Sequence, residues 1–103
     1  MNLTNAVFNA LADETRRTII LRLVEGGPQT TGKLLDGLGM TRQGAARHLL
    51  TLEESGLVKS EKQGREIVRT LDMEAIRGTQ AWMDELNRTW EKRMNRLAAQ
   101  YEK

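Results

Sequence analysis

Between Thr31 and Glu53 the chain carries two short amphipathic segments separated by too few residues to hold anything but a turn. This pair limits the possible folds more than any other stretch. In the first segment, Leu34, Leu35 and Leu38 fall at helical spacing, and Thr30 or Thr31 can accept a free backbone N–H at its start. Gly39 closes it and Met40 plugs the turn. Thr41 then caps a second helix, Arg42 to Glu53, in which Ala45, Leu49 and Leu52 form an inward stripe. Two helices joined so tightly form a helix-turn-helix, in which the second helix can lie in the major groove of DNA.

The outward face of that second helix carries Arg42, Gln43, Ala46, Arg47 and Leu50. Arginine can bond guanine through two donors and glutamine can pair with adenine, while the small Ala46 and Gly44 let the backbone approach closely. A solvated surface helix would show the same residues, so the flanking sequence has to decide. Ser55 and Gly56 end the helix. Leu57–Lys62 and Glu66–Leu71 then read as two strands around Gln63-Gly64-Arg65, with Val58, Ile67, Val68 and Thr70 supplying β-branched side chains. A hairpin directly after such a helix is a wing. Lys62 and Arg65 lie at or beside its tip, where they can reach phosphates, although a charged tip also serves solubility alone.

At 103 residues the chain is expected to form one domain, with residues 1–71 holding the helices and the wing and 72–103 a long C-terminal helix. The fold class is mainly α with a small β-hairpin. Asn5–Ala12 reads as a short helix that must dock to be stable. Asp13 caps Glu14–Glu25, whose Ile19, Ile20, Leu23 and Val24 oppose Arg16, Arg17 and Arg22; Gly26, Gly27 and Pro28 stop it. From Asp72 onward, Ile76, Met83, Leu86, Trp90, Leu97 and Tyr101 make a heptad-like seam, with Trp82 starting a second face. This seam exceeds what a small core can cover. It predicts a homodimer joined by Met83, Leu86, Trp90, Leu97 and Tyr101, with Val7, Phe8 and Leu11 of the first helix beside them.

Charge and composition narrow the chemistry. Sixteen Lys and Arg against fourteen Asp and Glu give a net charge of +2, which permits a nucleic-acid partner without requiring one. Arg42, Arg47, Lys59, Lys62, Arg65 and Arg69 are expected to share a face. No apolar run approaches the roughly 20 residues of a membrane span, and no secretory leader is evident, so no membrane partner and a cytoplasmic location are expected, on the nucleoid when bound to DNA. The sequence has no cysteine, which removes disulfides, thiol redox sensing and thiolate metal sites. With one histidine and no Gly-rich phosphate loop, no catalytic set is visible, so no enzyme and no cofactor are expected.

The stretches FNALADETRRTIILRLVEGG, LGMTRQGAARHLLTLEESGLVKSEKQGRE and IVRTLD resemble, in order and spacing, the ArsR-type winged-helix repressors of bacteria. The likeness covers residues 6 to 72. It implies a dimer that represses its own or a neighbouring operon at a palindromic operator, with Thr41, Arg42, Gln43, Ala46, Arg47 and His48 at double-stranded DNA and Arg65 on the wing. Leu50 and Gly44 depart from the family's usual residues and leave two contact positions without hydrogen-bonding side chains. Many relatives sense metal through a cysteine pair on the third helix or histidines on the last; neither set is present, so no metal site is expected. The lone His48 reads either as a phosphate contact or as a partly buried packing residue. A small-molecule inducer held near Phe8, Trp82, Met83 or Trp90 is conceivable, although these side chains read first as packing residues. The competing function is a winged-helix adaptor that binds proteins and has no specific DNA site.

Overall fold

The computed structural model describes residues 3–101. In chain order the elements are α1 (Leu3–Leu11), α2 (Glu14–Gly26), β1 (Gln29–Thr30), α3 (Thr31–Leu35), α4 (Arg42–Glu54), β2 (Val58–Gln63), β3 (Glu66–Leu71) and α5 (Met73–Tyr101). The strands form an antiparallel sheet of order β1-β3-β2. The winged helix-turn-helix expectation agrees with this architecture. Two details differ: the hairpin gains a third strand, and α3 stops at Leu35 instead of running to Leu38. Strand β1 is only two residues, held by the pairings Gln29↔Arg69 and Thr30↔Val68. Such a short strand owes its form to its partner, so no local periodicity announces it.

The core is built where the helices converge. Val7 and Ala10 of α1, Ile19, Ile20 and Leu23 of α2, Leu34 of α3, and Leu49 and Leu52 of α4 close around Leu57 and Val58 at the start of the wing. Burying each of the larger side chains contributes about 1.5–3 kcal/mol. Val24, expected in the α2 stripe, lies outside the core at 58% exposure. It follows Leu23 by one residue, which turns it about 100° around the helix axis and off the inward face.

The α2 arginines do more than face solvent. Arg16 donates to the carbonyls of Ala10 (2.6 Å) and Asn9 (3.0 Å), and Arg17 to that of Leu11 (2.7 Å). Arg22 donates to Leu34 O (3.0 Å) and Asp36 O (2.6 Å). Each guanidinium thus bonds carbonyls at or just past the C-terminal ends of α1 and α3. At the start of α2, Asp13 accepts the backbone N–H of Arg16 at 3.0 Å, as an N-cap should.

Helix α5 begins where Asp72 Oδ1 accepts the backbone N–H of Glu74 at 3.0 Å. Its 29 residues span about 43 Å. The outer part projects from the body: from Gln80 to Tyr101 only Met94 is even half-buried. Phe8 of α1 meets Trp82 edge-on with ring centroids 5.7 Å apart, anchoring the near end. Trp82, expected to start a second face of this helix, and Trp90, expected on the seam between subunits, are 50% and 57% exposed. None of the described helices is long and apolar enough to cross a membrane.

Candidate nucleic-acid interface

The turn before α4 sets its start. Gly39 takes φ +66°, a conformation other residues adopt at a cost. Thr41 follows as the N-cap, its Oγ1 accepting the backbone N–H of Gly44 at 3.0 Å. Gly44 has a steric reason to lack a side chain. A β-carbon there would lie 3.0 Å from Thr41 Oγ1, so alanine would push against the capping hydroxyl.

From this start the helix divides cleanly. Ala45, Leu49 and Leu52 are buried, while Thr41, Arg42, Gln43, Ala46, Arg47 and Leu50 are exposed. Arg42, Gln43 and Arg47 make no side-chain hydrogen bond or ion pair among the described residues, so their donors remain available. The result is a convex helical ridge with two cations and an amide spaced along it, a shape and chemistry that suit the major groove.

The wing stands beside that ridge. Strands β2 and β3 pair from Val58↔Leu71 to Gln63↔Glu66, leaving Gly64 and Arg65 as a two-residue loop. Gly64 has φ +64° and no non-glycine residue among those described has positive φ. This is the pattern of a type II′ turn, whose first loop position calls for glycine. Lys62 and Arg65 are exposed, and no described side chain pairs with either. Glu61 and Glu66 flank them, so the tip carries mixed charge.

Two of the six basic residues expected on one face are committed elsewhere. Lys59 pairs with Asp72 at 3.1 Å. Arg69 is buried, forms an ion pair with Glu53 of α4, and donates to Ser60 Oγ (2.6 Å) and Thr31 Oγ1 (3.1 Å). Ser60 Oγ in turn donates to Glu53 Oε1 at 2.8 Å. A buried guanidinium is tolerated only when its donors are matched in this way. The network ties α3, α4, β2 and β3 together, so it sets the angle between wing and ridge. Sequence reasoning missed this role because nothing local links Arg69 to Glu53.

His48 is half-buried between the exposed and buried faces of α4. Its Nδ1 lies 3.3 Å from a guanidinium nitrogen of Arg16. The carboxyl of Asp13 is held below the usual carboxylate range first by the backbone N–H of Arg16, with the Arg16 guanidinium adding to the effect. Asp72 is likewise lowered, first by the backbone N–H of Glu74 and then by the Lys59 ammonium.

Of the residues expected at a subunit interface, Phe8, Met83, Leu86, Trp90, Leu97 and Tyr101 are exposed and Leu11 is partly buried against the core. Val7 must be corrected. It is 1% exposed, enclosed in the subunit's own core, and has no surface to offer a partner.

Comparison with known proteins agrees with this geometry. A family model described as a helix-turn-helix domain matches residues 11–61. The chain is 36% identical over 87 residues to the uncharacterized HTH-type transcriptional regulator YuzN of Bacillus subtilis, covering 78% of this chain and 95% of that protein. It is 29% identical over 79 residues to the transcriptional repressor SdpR of the same organism, covering 77% and 87%. The solved ArsR-like transcriptional regulator from Rhodococcus sp. RHA1 superposes with a TM-score of 0.79 at 33% identity, covering 92% of this chain and 89% of that one. The chain belongs to the ArsR-type family of winged helix-turn-helix transcriptional regulators, which are DNA-binding proteins and not enzymes.

Proposed function

We propose that the chain binds a palindromic operator as a homodimer and represses its own or a neighbouring operon. The observation that carries this reading is the uncommitted outward face of α4. Arg42, Gln43 and Arg47 stand free of protein partners beside a wing that presents Lys62 and Arg65. Thr41, Ala46 and His48 complete the contact surface, with Arg and Gln reading base edges and the wing holding phosphates. Repression follows the likeness to SdpR, which is named a transcriptional repressor.

Dimerisation is supported by the unpaired apolar face of α5. Met83, Leu86, Trp90 and Leu97 are exposed along one helix, next to Phe8. An exposed apolar row of this length costs solubility unless a partner covers it. Two recognition helices related by a twofold axis would read half-sites about 34 Å apart on one face of the duplex. Acting there, the protein works in the cytoplasm, on the nucleoid.

The test is selection of bound fragments from genomic DNA by the purified protein, followed by titration of the winning site. A palindromic site bound at least tenfold better than random DNA at physiological salt is the expected result. Equal affinity for both would defeat the proposal. Full biological activity in an Arg42/Arg47/Arg65 triple-alanine variant would instead favour the protein-binding adaptor.

A further inference from the structure

Arg16 is positioned from three sides. Its Nε donates to Ala10 O at 2.6 Å, one terminal nitrogen to Asn9 O at 3.0 Å, and the other approaches His48 Nδ1 at 3.3 Å. A guanidinium has donors only and stays protonated in proteins. The imidazole nitrogen facing it must therefore be the acceptor, with its lone pair free. That leaves a neutral ring whose one proton is on Nε2. Every buried side-chain nitrogen and oxygen among the described residues has a partner, and Nε2 has none, so Nε2 is open to solvent. It lies on the recognition helix, next in sequence to Arg47.

We infer that Arg16 is a positioning residue for DNA binding: anchored on the carbonyls of α1, it fixes the Nε2–H tautomer of His48, which then donates to a DNA phosphate as a neutral group. The inference rests on the DNA-binding reading above. It explains why a half-buried histidine stands beside an arginine, a pairing that a charged imidazole would oppose. It also joins α1, which packs against α5, to the helix that meets DNA. His48 is thereby assigned to the phosphate backbone, where it helps set register without reading sequence.

His48 is the only histidine, so ¹⁵N-histidine labelling reports on it alone. At about pH 8, where an ordinary imidazole is neutral, long-range ¹H–¹⁵N spectra of the unmodified chain should show only the Nε2–H tautomer. Arg16→Met should show a mixture of both. His48→Ala should weaken binding to operator and random DNA alike by about three- to tenfold, as expected for one hydrogen bond. The salt slope should stay unchanged, because a neutral donor releases no counterion. His48→Gln, whose amide nitrogen reaches the position of Nε2, should restore most of the loss. Arg16→Met should weaken binding by less, about twofold for an equal mixture of tautomers, and the double variant should be no worse than His48→Ala alone.

An Nδ1–H tautomer in the unmodified chain overturns the inference, even if Arg16→Met fails to fold. So does a slope that falls by about one in His48→Ala, which would indicate a charged contact, or a loss confined to the operator, which would indicate base reading. A His48→Ala variant that binds DNA normally also overturns it. Absence of operator preference in the unmodified chain defeats the DNA-binding reading itself, and is seen before any variant is made.

Discussion

Arg69 of β3 and Glu53 in the last turn of α4 form an ion pair that fastens the wing to the recognition helix. The Arg69 side chain is 10% exposed and that of Glu53 35%, so the pair is only partly shielded from water. Replacing Arg69 by alanine should lower stability by about 1–3 kcal/mol, less than for a fully buried pair because solvent screens Glu53. Urea unfolding of Arg69→Ala, Glu53→Ala and the double variant would check this. The two single losses should exceed the double when summed, since each leaves the other group unmatched.

Arg47 and the wing cations should separate by the kind of contact they make. Arg47→Ala is expected to cost about 1–3 kcal/mol on the operator and little on random DNA, as for a base reader. Lys62→Ala and Arg65→Ala should each weaken binding to all sequences and reduce the salt slope by about one. Fluorescence anisotropy across a salt series measures both quantities.

Trp90 should matter to assembly and hardly at all to the subunit fold. It is 57% exposed and lies about three helical turns beyond the last point where α5 is buried, at Thr79. In sedimentation equilibrium, Trp90→Ala should shift the chain from dimer toward monomer. Far-ultraviolet circular dichroism of the same variant, at equal concentration, should retain the helical signature of the body.

Leu52 offers the reverse case. It is fully buried in α4, so Leu52→Ala leaves a cavity and should cost about 2–5 kcal/mol. In a domain of this size that is a large share of total stability, and the melting temperature should fall accordingly. Differential scanning calorimetry would register it.

Acid should act through the two capping aspartates. Asp13 and Asp72 both have carboxyls lowered in the folded state, so the unfolded chain binds protons more readily than the native one. Their stabilisation is fully present above the ordinary carboxylate value of 3.8 and is lost as pH falls through the lowered folded-state values. Asp13→Asn and Asp72→Asn together should flatten the stability profile in that acid range, as followed by urea midpoints between about pH 5 and 2.

Much of the fold was legible because its signals are local. Asp13 and Thr41 announce their helices as caps, Ala45, Leu49 and Leu52 mark an inward stripe at helical spacing, and Gly64 marks the wing turn. Each depends on backbone chemistry within a few residues. The recognition face was legible for the same reason, since the residues left over from the stripe must point outward. Where expectation failed, the deciding contact was distant. Val24 read as core until α2 docked with Leu23 inward, and Val7 read as interface until α1 was enclosed by its neighbours.

What the sequence alone determined is the set of parts: a short turn that forces two helices together, a hairpin after them, a long apolar-seamed helix, and the lack of cysteine that rules out thiol chemistry. The tertiary structure decided which charges are free to act. Arg69 and Lys59 look like Arg47 and Lys62 in the sequence, yet Arg69, buried, and Lys59, at the surface, pair with Glu53 and Asp72, while the others have no ion-pair partner among the described residues. Likewise only the fold brings Arg16 to His48, 32 residues away. The physical reason is common to both. Capping and periodicity act within a turn or two of chain, but a side chain's charge state and availability depend on whatever group packing places within a few ångströms of it.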